Sequence, residues 1–175
     1  MTKPPAAPLR PYHVLFLCTG NSARSIMAEA ILNLAGRGQR FVAYSAGSHP
    51  KGAVHPETVN LLTGLGYDHS ALRSKSWDEF AAPEAPPIDF VITLCDEAAG
   101  EACPLFFGAP LRSHWPTPDP ARPAGGDSPA TAHARAYWLL EQRMKRLLES
   151  PEALDRAALA DRIAAIGRLA FTRRS

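Results

Sequence analysis

Apolar positions along the chain alternate between two rhythms. YHVLFLC, 12 to 18, is an apolar run, and SIMAEAILNLAG follows with Ile26, Ala30, Ile31 and Leu34 at helical spacing until Gly36 stops it. RFVAYSAG, 40 to 47, reads as a second strand ended by glycine, and PETVNLLTGLGY, 56 to 67, as a helix with Val59, Leu62 and Leu65 on one stripe. Beyond a proline-spotted stretch, IDFVITLC, 88 to 95, has the unbroken apolar character of a strand buried on both faces. The polar, small-residue segment DEAAGEACP comes next, then a short fourth strand, LRSHW, 111 to 115, and a loop, PTPDPARPAGGDSP. A helix is predicted over 130–149, with Ala136, Leu139, Leu140, Arg143, Met144 and Leu147 on one face. After Ser150 and Pro151, residues 152–170 repeat the pattern with Leu154, Leu159, Ile163, Ile166 and Leu169, a tail helix that packs on the domain or on a partner. Strands alternating with helices predict an α/β fold: a four-stranded parallel sheet with helices on both faces and ligands at the carboxyl ends of the strands. Cys18 and Cys95 both fall at such ends.

Composition adds limits. A chain of 175 residues, 46% hydrophobic, with no solenoid-length repeat, suits one core. The expected division is an N-terminal disordered arm over 1–11, a domain over 12–149 and a helical extension over 150–175. A net charge of +2, with arginines massed only at Arg173 and Arg174, gives no field for nucleic acid. MTKPPAAPLRP lacks the apolar core of a secretory signal, and no segment reaches the roughly 18 apolar residues of a membrane span. The expectation is a cytoplasmic protein without a membrane partner, and its three cysteines, Cys18, Cys95 and Cys103, are too few for a disulfide framework. Their reactivity is the better question.

LCTGNSARS, 17 to 25, joins the first strand to the first helix. Such a loop turns successive N–H groups into one concavity, and the helix adds the positive end of its dipole. Gly20 permits tight curvature, Asn21 tolerates a left-handed backbone, and Arg24 offers a planar fork to a tetrahedral anion. The oxyanion-binding residues are therefore Thr19, Gly20, Asn21, Ser22, Ala23, Arg24 and Ser25. The same positive surroundings favour the thiolate of Cys18, and Ser25 is placed to donate to its sulfur. The plain alternative is that Cys18 is one more buried strand residue.

At these residues the chain resembles the low-molecular-weight protein tyrosine phosphatases and the arsenate reductases built on the same fold. CTGNSAR supplies the Cys-x5-Arg signature, Ser25 the serine after it, SIMAEA the helix start and YSAG the end of the second strand. The resemblance spans about residues 12–149 and implies attack by Cys18 on a tetrahedral centre, with an acid protonating the leaving oxygen. Asp119, before Pro120, matches the general acid. A phosphocysteine is resolved by water, whereas an arsenic–sulfur adduct needs further thiols. Cys95 in VITLC and Cys103 in EACP match the redox cysteines of thioredoxin-coupled arsenate reductases. By that resemblance Cys95 attacks Cys18, then Cys103 attacks Cys95. The implied substrate is arsenate, mimicked by phosphate or sulfate, and the implied reductant is thioredoxin or glutathione with glutaredoxin.

Other readings stay beside this one. A phosphatase of the same fold would hydrolyse a phosphomonoester, although Ala121 and Arg122 stand where such enzymes carry aromatic residues, which favours a small inorganic oxyanion. A module that only binds phosphate or senses oxidants would bind without turnover. Ala23 stands where many relatives have a loop cysteine, and the Cys95–Cys103 separation is one residue longer than in the best-known members. The cysteine spacing and scattered histidines suit no zinc site, so neither metal nor cofactor is expected. The six histidines read as structural or exposed. Asn21, Glu29 and Ser45 match part of a potassium set found in some relatives, while Lys75 in LRSKSWDEF would bring an ammonium to that place.

Overall fold

The computed structural model describes residues 10–36, 40–151 and 154–173. Most of the expected N-terminal arm, residues 1–9, and Arg174 lie outside the described residues. Four strands form one all-parallel sheet in the order β2-β1-β3-β4: β1 Tyr12–Cys18, β2 Phe41–Gly47, β3 Phe90–Thr93 and β4 Leu111–His114. The crossovers carry α1 Arg24–Ala35, α2 Pro56–Gly64 and α3 Asp96–Gly100, and α4 Pro129–Leu147 and α5 Arg156–Gly167 follow β4. Among the described residues no helix is long and apolar enough to cross a membrane.

Strand periodicity distributes β1 between two cores. Val14 and Phe16 join Met27, Ile31, Leu140, Met144 and Ile163, whereas Leu15 and Leu17 join Ala46, Phe80, Val91 and Phe106 on the other face. Each fully buried aliphatic or aromatic side chain of this kind is worth about 1.5–3 kcal/mol. The tail helix packs on the domain: Leu159, Ile163 and Ile166 enter the first core, and Trp115 Nε1 donates to the Ile163 carbonyl at 2.9 Å.

Boundaries differ from the sequence expectation for local reasons. Helix α2 stops at Gly64 because Gly66, at φ +81°, turns the chain left-handed before Tyr67. The β3 ladder ends at Thr93, although the Leu94 N–H still reaches the Leu17 carbonyl at 2.8 Å. Cys95 then serves as N-cap of α3, a helix too short for periodicity to reveal.

Arg10, at the end of the expected arm, forks onto buried Asp89 with two bonds of 2.8 Å, and the His13 N–H adds a third at 2.8 Å. Burial alone would raise the Asp89 pKa, but these donors and the charges of Arg10 and Arg156 outweigh it and hold the carboxyl below its ordinary 3.8. A lowered folded value gives stability that is complete above the unfolded value and lost as pH falls through the folded one. The urea midpoint is expected to fall as pH drops from about 5 to 3, with Asp89→Asn removing part of that dependence.

Candidate active site

The loop between β1 and α1 is a cup fixed from outside. Thr19 O accepts from His49 N at 2.9 Å, Gly20 O from Lys51 N at 2.9 Å, and Ser22 O from His55 N at 2.9 Å and Thr58 Oγ1 at 3.2 Å. Since N–H and C=O point opposite ways across a trans peptide, outward carbonyls turn the N–H groups of Gly20, Asn21 and Ala23 inward. They line a cavity of about 240 Å³ with Cys18, Thr19, Ser22 and Arg24. The left-handed residue is Asn21, at φ 42°, as its side chain allows. Gly20 is not left-handed; a Cβ there would meet the Lys51 side chain at 3.2 Å.

A hydrogen-bond chain aims a proton at the Cys18 sulfur. Asn21 Oδ1 accepts from Lys75 N at 2.9 Å, which fixes its amide so that Nδ2 donates to Ser25 Oγ at 2.8 Å. With its oxygen thus accepting, the Ser25 hydroxyl is free to donate to Cys18 Sγ, 2.9 Å away. Cys18, Ser25 and Asn21 are all buried.

Arg24 opens α1 and ties the cup to the loop after β4: Nη1 donates to Thr117 O at 3.1 Å, and Nη2 stands 3.7 Å from Asp119 Oδ2. Asp119 lines the cup cavity, its Oδ1 accepting from Ala121 N at 3.0 Å, while Arg122 N bonds its carbonyl at 3.1 Å. Cys95 sits beside Cys18. Its sulfur is 3.4 Å from Thr19 Oγ1 and accepts from Ala98 N at 3.4 Å, and Cys18, Cys95 and Ala98 form one buried cluster.

The description of the low molecular weight phosphotyrosine protein phosphatase family matches residues 13–159. The chain belongs to that family. Its relatives include the arsenate reductase of Bacillus subtilis, 38% identical over 132 residues, covering 75% of this chain and 86% of that protein. The arsenate reductase of Bacillus licheniformis is 37% identical over 142 residues, covering 79% and 96%. A solved arsenate reductase in the phosphate-binding state superposes with a TM-score of 0.62 at 27% identity, covering 78% of this chain and 95% of that one. The thioredoxin-dependent arsenate reductase of Corynebacterium glutamicum gives 0.60 at 26% identity, covering 84% and 65%.

Cys103 is held apart from the other two thiols of this family member. It is half-buried and packs against the cluster of Leu15, Leu17 and Val91, a different cluster from the one that holds Cys18 and Cys95. Ala98, Ala99, Gly100 and Ala102 make up much of the link between them. Where part of a potassium set was matched, Lys75 Nζ lies 3.7 Å from Glu29 Oε2, 3.1 Å from Arg73 O and 3.5 Å from Ser45 Oγ. Burial pushes Glu29 up and Lys75 down, and each is opposed by the other's charge.

Sequence reasoning missed several lining groups. Lys51 and Arg122 add positive charge to the lining of the cup, and His49 joins them there. Spacing gives no hint of them, since they arrive from loops after β2 and β4. Aromatic side chains also reach the loop that carries Asp119. Trp138 of α4 and Phe171 line a cavity of about 850 Å³ whose wall includes Asp119 and Arg122. The positions right after Asp119 are indeed small or polar, but the aromatic wall comes from distant chain segments.

Proposed function

We propose that this chain reduces arsenate to arsenite. The observation that carries the proposal is a second buried thiol, Cys95, clustered with Cys18 at the anion cup. The Cys18 thiolate attacks arsenic(V) held by the cup and Arg24; a sulfur–arsenic bond forms, an arsenic–oxygen bond breaks, and Asp119 gives its proton to the departing oxygen. The Cys95 thiolate then attacks Cys18 sulfur. The new S–S bond forms as the sulfur–arsenic pair passes to arsenic, which leaves as arsenite in the +3 state. Cys103 next attacks Cys95 and expels the Cys18 thiolate, so the disulfide moves to Cys95–Cys103 and the cup is free again. The last exchange requires α3 to yield, and its small residues and single turn make that inexpensive. Identities near 37% to proteins named arsenate reductase support this reading.

The external reductant is a dithiol protein of the thioredoxin class or glutathione with glutaredoxin, and a structural relative is named thioredoxin-dependent. Arsenate-dependent NADPH oxidation, measured separately with each system, tests both points. Arsenite is expected in step with NADPH consumed in the thioredoxin system, and Cys103→Ser is expected to abolish that coupling. Hydrolysis of an aryl phosphate without any arsenite would favour the second reading, a phosphomonoesterase, which the aromatic cavity beside Asp119 supports.

A further inference from the structure

Arg143 on α4 is buried, 3% exposed, and lies outside the cup. Its Nη1 donates to Thr117 Oγ1 at 3.0 Å and its Nη2 to Pro116 O at 2.8 Å, while its Nε is buried with no hydrogen-bond partner among the described residues. Burial pushes its pKa down to about 10, and among the described residues no carboxylate opposes that shift. The guanidinium stays charged at neutral pH, and among the described residues no carboxylate pairs with it. An unpaired buried cation is a poor device for stability, because a hydrophobic side chain of similar volume is commonly tolerated as well or better.

Both of its bonds converge on one place. Thr117 receives Arg143 at its hydroxyl, which in turn donates to Trp115 O at 2.9 Å. Its N–H bonds Leu94 O at 2.9 Å, next to Cys95, and its carbonyl accepts from Arg24 at 3.1 Å. Asp119 follows two residues later. The root of the acid loop is thus held at once by the sheet, by the oxyanion-binding arginine and by Arg143.

We propose that Arg143 is a positioning residue, whose forked grip on Pro116 and Thr117 sets Asp119 at the leaving oxygen of the oxyanion on Cys18. The assignment rests on the acid role given to Asp119 above. General acid catalysis is worth about 10²- to 10⁴-fold, and a loosened acid forfeits part of that.

The test compares Arg143→Met and Arg143→Lys in the parent and in Asp119→Asn. Single-turnover arsenite formation is expected to slow about tenfold in Arg143→Met, with phosphate affinity at the cup unchanged, because only an interaction of the transition state is weakened. Lysine keeps the charge but grips one acceptor, so Arg143→Lys recovers part of the rate. In Asp119→Asn the same methionine change is expected to cost almost nothing, since the group it positions is gone. Amide hydrogen exchange over residues 117–122 should rise in Arg143→Met while α1 is unaffected. An equal loss of rate in Asp119→Asn, a parallel loss of phosphate affinity, or unchanged exchange over 117–122 would overturn the assignment. A parent that makes no arsenite at all would defeat the activity reading instead, and the exchange comparison would then decide the role of Arg143 alone.

Discussion

Cys95→Ser is expected to lower steady-state arsenite formation by at least about 10³-fold, while phosphate binding at the cup stays within about twofold of the parent. Serine keeps nearly the volume of cysteine and can cap α3 through the Ala98 N–H, as the Cys95 sulfur does. The cup itself draws its carbonyl anchors from His49, Lys51 and His55, none of which the change touches. What is lost is the second thiol in the buried cluster with Cys18. A hydroxyl at that place is not ionised near neutral pH and forms no stable bond to sulfur, so the sulfur–arsenic adduct can only return to arsenate. Cys103→Ser should differ in kind: one arsenite per chain, then arrest with Cys18 and Cys95 joined. Quench-flow detection of arsenite, paired with thiol counting, separates the two. Arsenite from Cys95→Ser at near the parental rate would remove Cys95 from the relay.

The parts of this site that sequence exposes are those that lie close together along the chain. The cup is contiguous, running from Cys18 to Ser25, so its chemistry could be read from one loop between a strand and an amphipathic helix. Strand ends are equally readable, which places Cys95 just past the carboxyl end of β3, on the same side of the sheet as Cys18. Asp119 came from resemblance, and its loop meets Arg24 only through tertiary folding. Trp138 and Phe171 escape notice because their sequence positions lie 19 and 52 residues after Asp119, one on a helix and the other beyond the last one. Arg143 was counted on the core face of its helix, yet no pattern of apolar positions says that a buried guanidinium will grip Thr117. Helix α3 was missed for a different reason. At five residues it spans little more than one 3.6-residue turn, too few for a repeating pattern, and its start is set by a sulfur cap.

Gly47→Ala is expected to weaken phosphate binding by about 30- to 100-fold with the fold retained. Gly47 ends β2 opposite Cys18 in the ladder, and its N–H donates to Lys75 O at 2.9 Å. A Cβ there would lie 2.5 Å from Thr19 O and 3.0 Å from both Cβ and N of Asn21. These neighbours are largely the backbone of the cup, with no flexible side chain to swing away. Either the end of β2 shifts and its bond to Lys75 lengthens, or the cup moves and Thr19 O leaves His49 N. In both cases the inward N–H groups lose their aim, and Asn21, anchored on Lys75 N, loses its hold on Ser25. Overpacking of this kind costs about 1–3 kcal/mol, enough for the stated loss if most of it falls on the anion-binding geometry. Gly64→Ala is the control, because a Cβ at that helical position meets nothing within 4 Å and alanine favours the helix. Calorimetric titration with phosphate should therefore separate the two variants widely. Parental affinity in Gly47→Ala would mean that the cup is not held rigid by its contact with the second strand.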